Sequence, residues 1–167
     1  MPRGRKPTYE KNSLTDAFQF IKLNIEIRKG KGQSTDQIIA SCGGPLRQFV
    51  YPKELPTGTF TLYHLHPKDE ANKRTTLDEL FSRTTMIKCL TRAFLSGMSE
   101  SEALKRIVHL CMNAYVTSEE NQFLRDFQGG KSLKLQMAFI GNYDDFLAEV
   151  NQYLADYDAH LEEIRKQ

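Results

Sequence analysis

The chain has 167 residues, with 23 Lys+Arg against 21 Asp+Glu, 40% hydrophobic and 10% aromatic side chains. That composition supplies one domain with a buried core and excludes wholesale disorder. No apolar run approaches the roughly 20 residues that cross a bilayer, and the N-terminus lacks a signal-peptide stretch, so an intracellular, cytoplasmic chain with no membrane partner is expected.

Residues 1–13 contain Pro2, Gly4 and Pro7 among cationic side chains and no apolar periodicity. They read as a flexible basic arm, followed by a single helical domain over 14–167. Residues 18–28 fit two patterns. Leu23, Ile25 and Ile27 alternate with polar residues as in a strand, whereas Leu14, Phe18, Ile21 and Ile25 form a helical stripe. The Ser13 start favours the helix. Lys29-Gly-Lys-Gly32 breaks the pattern, and Ser34 or Thr35 then caps a short helix ending at Gly43-Gly44. Pro45 opens another short helix, which Pro52 stops.

A strand is expected over 59–66, then a polar loop over 67–75. Thr76 should cap a helix carrying Leu77, Leu80, Phe81, Ile87, Leu90 and Phe94 on one stripe, with Arg83, Lys88 and Arg92 off it and Gly97 ending it. Ser99 with Glu102 reads as the capping box of a helix that holds Leu104, Ile107, Val108, Cys111 and Tyr115 inside. Thr117 with Glu120 repeats the device for a helix ending at Gly129-Gly130. The acidic last helix, 142–167, carries Leu147, Val150, Leu154, Tyr157, Leu161 and Ile164 in a heptad seam. That seam has two readings: packing on its own domain, or pairing with a second copy in a homodimer. The fold class is therefore mainly α, a compact helical domain with a short β element.

The net charge of +2 hides a gradient. Residues 1–34 carry eight basic side chains against Glu10, Asp16 and Glu26, a net of +5. Residues 142–167 carry Arg165 and Lys166 against seven acids, a net of −5. A basic head suits a polyanion, and the acidic tail would stay away from it.

Three motifs point to DNA. Pro2-Arg-Gly-Arg-Lys-Pro7 resembles the AT-hook, in which a glycine lets the chain lie on the minor-groove floor while flanking arginines enter it. Arg3, Gly4 and Arg5 match, and Lys6 intrudes before Pro7. Residues 35–53 resemble a helix-turn-helix, with Ala40, Gly44 and Val50 at the packing-alanine, turn-glycine and locking positions. The resemblance implies that Arg47 and Gln48 read base edges in the major groove and Lys53 meets phosphate. Lys29 and Lys31, from the basic head, are expected as further DNA contacts. Residues 59–115 also resemble the ribbon-helix-helix order, which would make Thr61, Tyr63 or Leu65 outward readers. The segment 94–116 is similar to the helical body of the flagellar master-activator C subunit, whose cysteine-rich zinc site has no counterpart here.

His64 and His66 share a strand face but lack a third ligand at metal-site spacing. His109 and His160 read as partnerless helix residues. Cys42, Cys89 and Cys111 form no CxxC pair and read as buried thiols. No P-loop, GxGxxG, GxSxG or HExxH is present. The expected function is thus binding of double-stranded DNA by a small transcriptional regulator of a bacterial, phage or plasmid system, without catalysis, metal or cofactor. In it 45–53 takes the major groove, the arm the minor groove, and the last helix self-associates. A protein-binding adaptor or inhibitor acting through the acidic C-terminal helix is the alternative.

Overall fold

A computed structural model describes residues 13–42 and 75–166. The basic arm, the helix expected after Pro45, the strand expected over 59–66, and His64 and His66 lie outside the described residues.

The described part is mainly helical. Helix α1 spans Ser13–Gly30 and settles the ambiguity of 18–28 in favour of the helix. Ala17, Phe18, Ile21 and Ile25 are buried on one stripe, whereas Leu23 and Ile27, which a strand would have buried beside Ile25, are 56% and 50% exposed. Gly32, at φ +74°, turns the chain, and helix α2 covers Thr35–Ser41. Ser34 and Gln37 close a reciprocal capping box there.

Strand β1, Thr75–Glu79, stands where a helix start was expected. It pairs antiparallel with β2, Asn113–Thr117, in the register Thr75↔Thr117 through Glu79↔Asn113. Helix α3 therefore begins later, at Arg83–Leu95, with Ser82 as its N-cap. Helix α4, Glu100–Ile107, passes into a 3₁₀ turn at Val108–Leu110 instead of running on to Tyr115. In each case a cross-strand ladder separated by 38 positions at its centre, Leu77 to Tyr115, overrode a local helical pattern. Leu104, expected inside, is exposed.

Helix α5, Ser118–Phe139, opens on the Thr117/Glu120 capping box as expected but runs through Gly129 and Gly130 without a break. Helix α6, Tyr143–Lys166, starts at Asn142, whose Oδ1 accepts from the Asp144 and Asp145 amides.

The core lies around α3. None of its residues is exposed, and Met86, Ile87, Cys89, Leu90 and Ala93 are fully enclosed. Helix α1 covers one side through the edge-to-face pair Phe18–Phe94, ring centres 5.4 Å apart. On another side, α5 and α6 form a hairpin that sets Phe127 edge-to-face against Tyr153 and Tyr157 and packs Phe139 against Phe146. Lys131–Asp156 at 2.7 Å and Lys134–Glu149 at 3.1 Å join the two helices in antiparallel order. Buried Arg106 reaches from α4 to the end of α5, where Nη1 donates to the Phe139 and Gly141 carbonyls at 2.7 Å each. These are carbonyls that a helix end leaves without partners.

Two stability measurements check this account. A Cβ at Gly130 would meet nothing within 4 Å, so Gly130→Ala should raise unfolding free energy by about 0.5–1 kcal/mol in urea. A loss instead would mean that the helix breaks there. Arg106→Met removes two charged hydrogen bonds and strands two carbonyls, so it should cost about 2–4 kcal/mol by the same assay.

Candidate functional site

The described cations divide into two groups. Lys22 pairs with Glu100, Lys29 with Glu26, Arg83 with Glu79, Lys105 and Arg106 with Glu102, and Lys131 and Lys134 with acids of α6. Arg28, Lys31, Lys88, Arg92, Arg125 and Lys166 have no carboxylate partner among the described residues. The first four border α2. Arg28 donates to Asn24, Gln33 and the Ser41 carbonyl, which straps the end of α1 to the end of α2. Lys31 lies exposed in the turn between them. Lys88 and Arg92 line a groove of about 360 Å³, walled by α2 through Asp36, Ile39 and Ala40 and by α5 through Gly129, Ser132, Leu133 and Gln136. A smaller hollow of about 190 Å³ continues it past Thr35, Leu95 and Ile140.

Arg92 is held from below. Its Nε donates to Gln136 Oε1 at 3.0 Å, and Gln136 Nε2 donates to Ser132 Oγ at 2.9 Å. The Ser132 hydroxyl lies 2.8 Å from Thr85 Oγ1, which accepts from the Ser82 cap at 2.9 Å. Thr85 and Gln136 are buried, so this ladder satisfies polar groups that would otherwise be costly. It also consumes only the Nε edge of the guanidinium.

Of the residues expected to contact DNA, Lys29 and Lys31 lie at the α1–α2 turn. Lys29 shares its charge with Glu26 at 3.9 Å, and Lys31 does not share its own. Arg3, Gly4, Arg5, Lys6, Arg47, Gln48 and Lys53 lie outside the described residues. Ala40 departs from the helix-turn-helix pattern. It is exposed, and the inward face of α2 is taken by Ile38 and Ile39. The chain's larger side chains do the packing that the motif assigns to an alanine.

Arg28, Lys88 and Arg92 were not anticipated. A signal was present, because α3 carries Arg83, Lys88 and Arg92 and no acid anywhere along its length. Lys88 and Arg92 are one turn apart on one face, a like-charge spacing that disfavours an isolated helix.

The heptad seam is spent within the chain. Val150, Leu154, Tyr157 and Leu161 are buried in its own core, Leu147 packs against that core, and the Ile164 side chain lies outside the described residues. A second copy would have to compete with α5 for these side chains, so the intrachain reading replaces the dimer seam. Lys131 and Gln152 also hold the Asp156 carboxyl below its usual range, which shields part of the tail's charge.

The histidines have partners after all. His109 Nε2 lies 3.0 Å from the Tyr143 hydroxyl, with burial pushing its pKa down, and His160 stacks on Phe127 at 5.3 Å. Among the described residues no three His, Cys, Asp or Glu side chains gather as a metal site. No helix among them is long and apolar enough to cross a membrane.

Burial pushes the thiols of Cys42, Cys89 and Cys111 up, against weaker pulls at Cys42 from a Thr91 hydrogen bond and from Lys88 and Arg28. Thiolate is thus withheld in the folded state. Ellman's reagent at pH 8 should label these cysteines only as fast as the protein unfolds. Rapid labelling of one thiol under native conditions would show an open core at that residue.

Set against protein-family models, curated proteins and solved structures, the chain matches none of them.

Proposed function

We propose that this chain binds double-stranded DNA and acts as a small transcriptional regulator of a bacterial, phage or plasmid system. One observation carries the reading: four of the six described cations without carboxylate partners, Arg28, Lys31, Lys88 and Arg92, collect around α2. Uncompensated charge kept together on one folded surface suits a polyanion. Helix α2 also leads directly into residues 43–53, which bring Arg47, Gln48 and Lys53, side chains suited to base edges and phosphate. The arm, with Arg3, Gly4, Arg5 and Lys6, supplies minor-groove contacts by the AT-hook resemblance.

Exposed Ala40 moves the emphasis from helix-turn-helix geometry to the charged surface. Docking is driven by phosphate contacts around α2, and sequence preference comes from 45–53 and the arm. Seven acids in 142–167 keep the tail from phosphate.

Binding to a random 20-base-pair duplex should be detectable at low salt by fluorescence anisotropy and fall linearly in log–log form as salt rises. Arg3→Ala with Arg5→Ala should weaken it. Lys31→Gln should lower the salt slope by about one. Absence of duplex binding by the wild-type chain at 20–50 mM salt would overturn the reading.

A further inference from the structure

The groove between α2 and α5 has a chemistry of its own. Lys88 and Arg92 rise from its floor one helical turn apart, both half-buried and both without a carboxylate partner among the described residues. Side chains at this spacing stand about 5–6 Å apart at Cβ, so one anion fits between their tips. Two like charges in that relation repel each other in the empty groove, and an anion relieves the repulsion. Arg92 is also oriented in advance. The ladder from Ser82 through Thr85, Ser132 and Gln136 holds its Nε and leaves the Nη atoms without a hydrogen bond among the described residues.

The walls narrow the ligand further. Asp36 faces the groove and forms no ion pair with either cation, so the three charges sum to +1. That balance matches the single charge of a phosphodiester. Ile39 and Leu133 add apolar surface, and Leu133 is 61% exposed, a large side chain that the chain's own core does not use. A sugar ring can rest on such a surface while its phosphate meets the cations. Gly129 lies on the same wall, and a Cβ there would meet nothing within 4 Å. Packing among the described residues therefore does not require glycine, whereas close approach of a backbone from outside would exploit it.

We propose that Lys88 and Arg92 form a phosphate-binding subsite that grips one phosphodiester of a nucleic-acid backbone, with its sugar against Ile39 and Leu133. Arg92 supplies a planar two-donor fork to two phosphate oxygens and Lys88 a point charge to a third. The nucleic-acid source rests on the DNA reading above, while the oxyanion chemistry rests on the groove alone.

The test uses the full chain and two probes, a random 20-base-pair duplex and inorganic pyrophosphate. With the duplex, Lys88→Gln should lower the salt slope by about one and weaken binding severalfold at 100 mM salt. Arg92→Lys keeps the charge but loses the fork, so it should weaken binding while leaving the slope near the wild-type value. Lys88 lies outside the Ser–Thr–Gln ladder, so its replacement leaves the α3–α5 contact intact. If Lys31→Gln lowers the slope but Lys88→Gln and Arg92→Lys change nothing, the subsite is overturned and the DNA reading stands. If the wild-type chain binds no duplex, the DNA reading fails, and pyrophosphate decides the subsite. Amide shifts confined to the neighbourhood of Lys88, Arg92 and Ser132, and lost in Lys88→Gln, would sustain it for free phosphates. Absence of those shifts would overturn it.

Discussion

Enclosure of α3 organises everything else in the described structure. A helix with no exposed residue needs a neighbour on every side, and α1, α2, α4 and α5 all supply one. Its apolar positions, Met86, Ile87, Cys89, Leu90 and Ala93, meet that demand by ordinary burial. Its polar positions need hydrogen bonds instead. Thr91 returns its hydroxyl to the Ile87 carbonyl, and Thr85 joins the ladder to Ser132 and Gln136 of α5. Lys88 and Arg92 emerge where α2 and α5 fail to meet, which is why the groove exists and why its floor is cationic.

The strand pair depends on the same arrangement. After α4, the 3₁₀ turn and Cys111–Met112 bring the chain back alongside β1, and the Leu80 amide extends the ladder to the Met112 carbonyl. Tyr153 of α6 donates to the Leu80 carbonyl, and Gln128 of α5 donates to those of Glu79 and Leu80. A two-stranded ribbon is marginal alone, so these side chains and the buried Leu80 and Phe81 anchor it.

Charge tells a related story at longer range. The sequence runs from a net of +5 at its head to −5 at its tail, yet folding does not simply leave two opposite poles. Lys131 and Lys134 of α5 neutralise Asp156 and Glu149 of α6, and Lys22 is answered by Glu100. Of the described cations left over, four frame α2, two from the head and two from the middle of the chain, while Arg125 and Lys166 lie apart from it. Surface ion pairs contribute little to stability, but which charges they leave unmatched decides where a polyanion would settle.

Local signals were legible in the sequence, and their reach was short. The Ser34 cap, the Thr117/Glu120 capping box, the Gly97 stop and the Asn142 start all lie within a few residues of the backbone groups they satisfy. Helical character for 13–30 followed from the Phe18, Ile21 and Ile25 stripe. Three features were misread because their causes are distant. The Thr75–Glu79 strand needs Asn113–Thr117, Gly129-Gly130 stays helical because α6 and α3 hold both sides of α5, and the heptad seam is filled by α5 rather than a second copy. The sequence by itself determined the helical class, the caps and the basic excess of the head, since each depends on neighbours within a turn or two. Tertiary structure alone decided which cations stay unpaired and that Lys88 and Arg92 share a groove, since both depend on whether distant acids and helices reach α3.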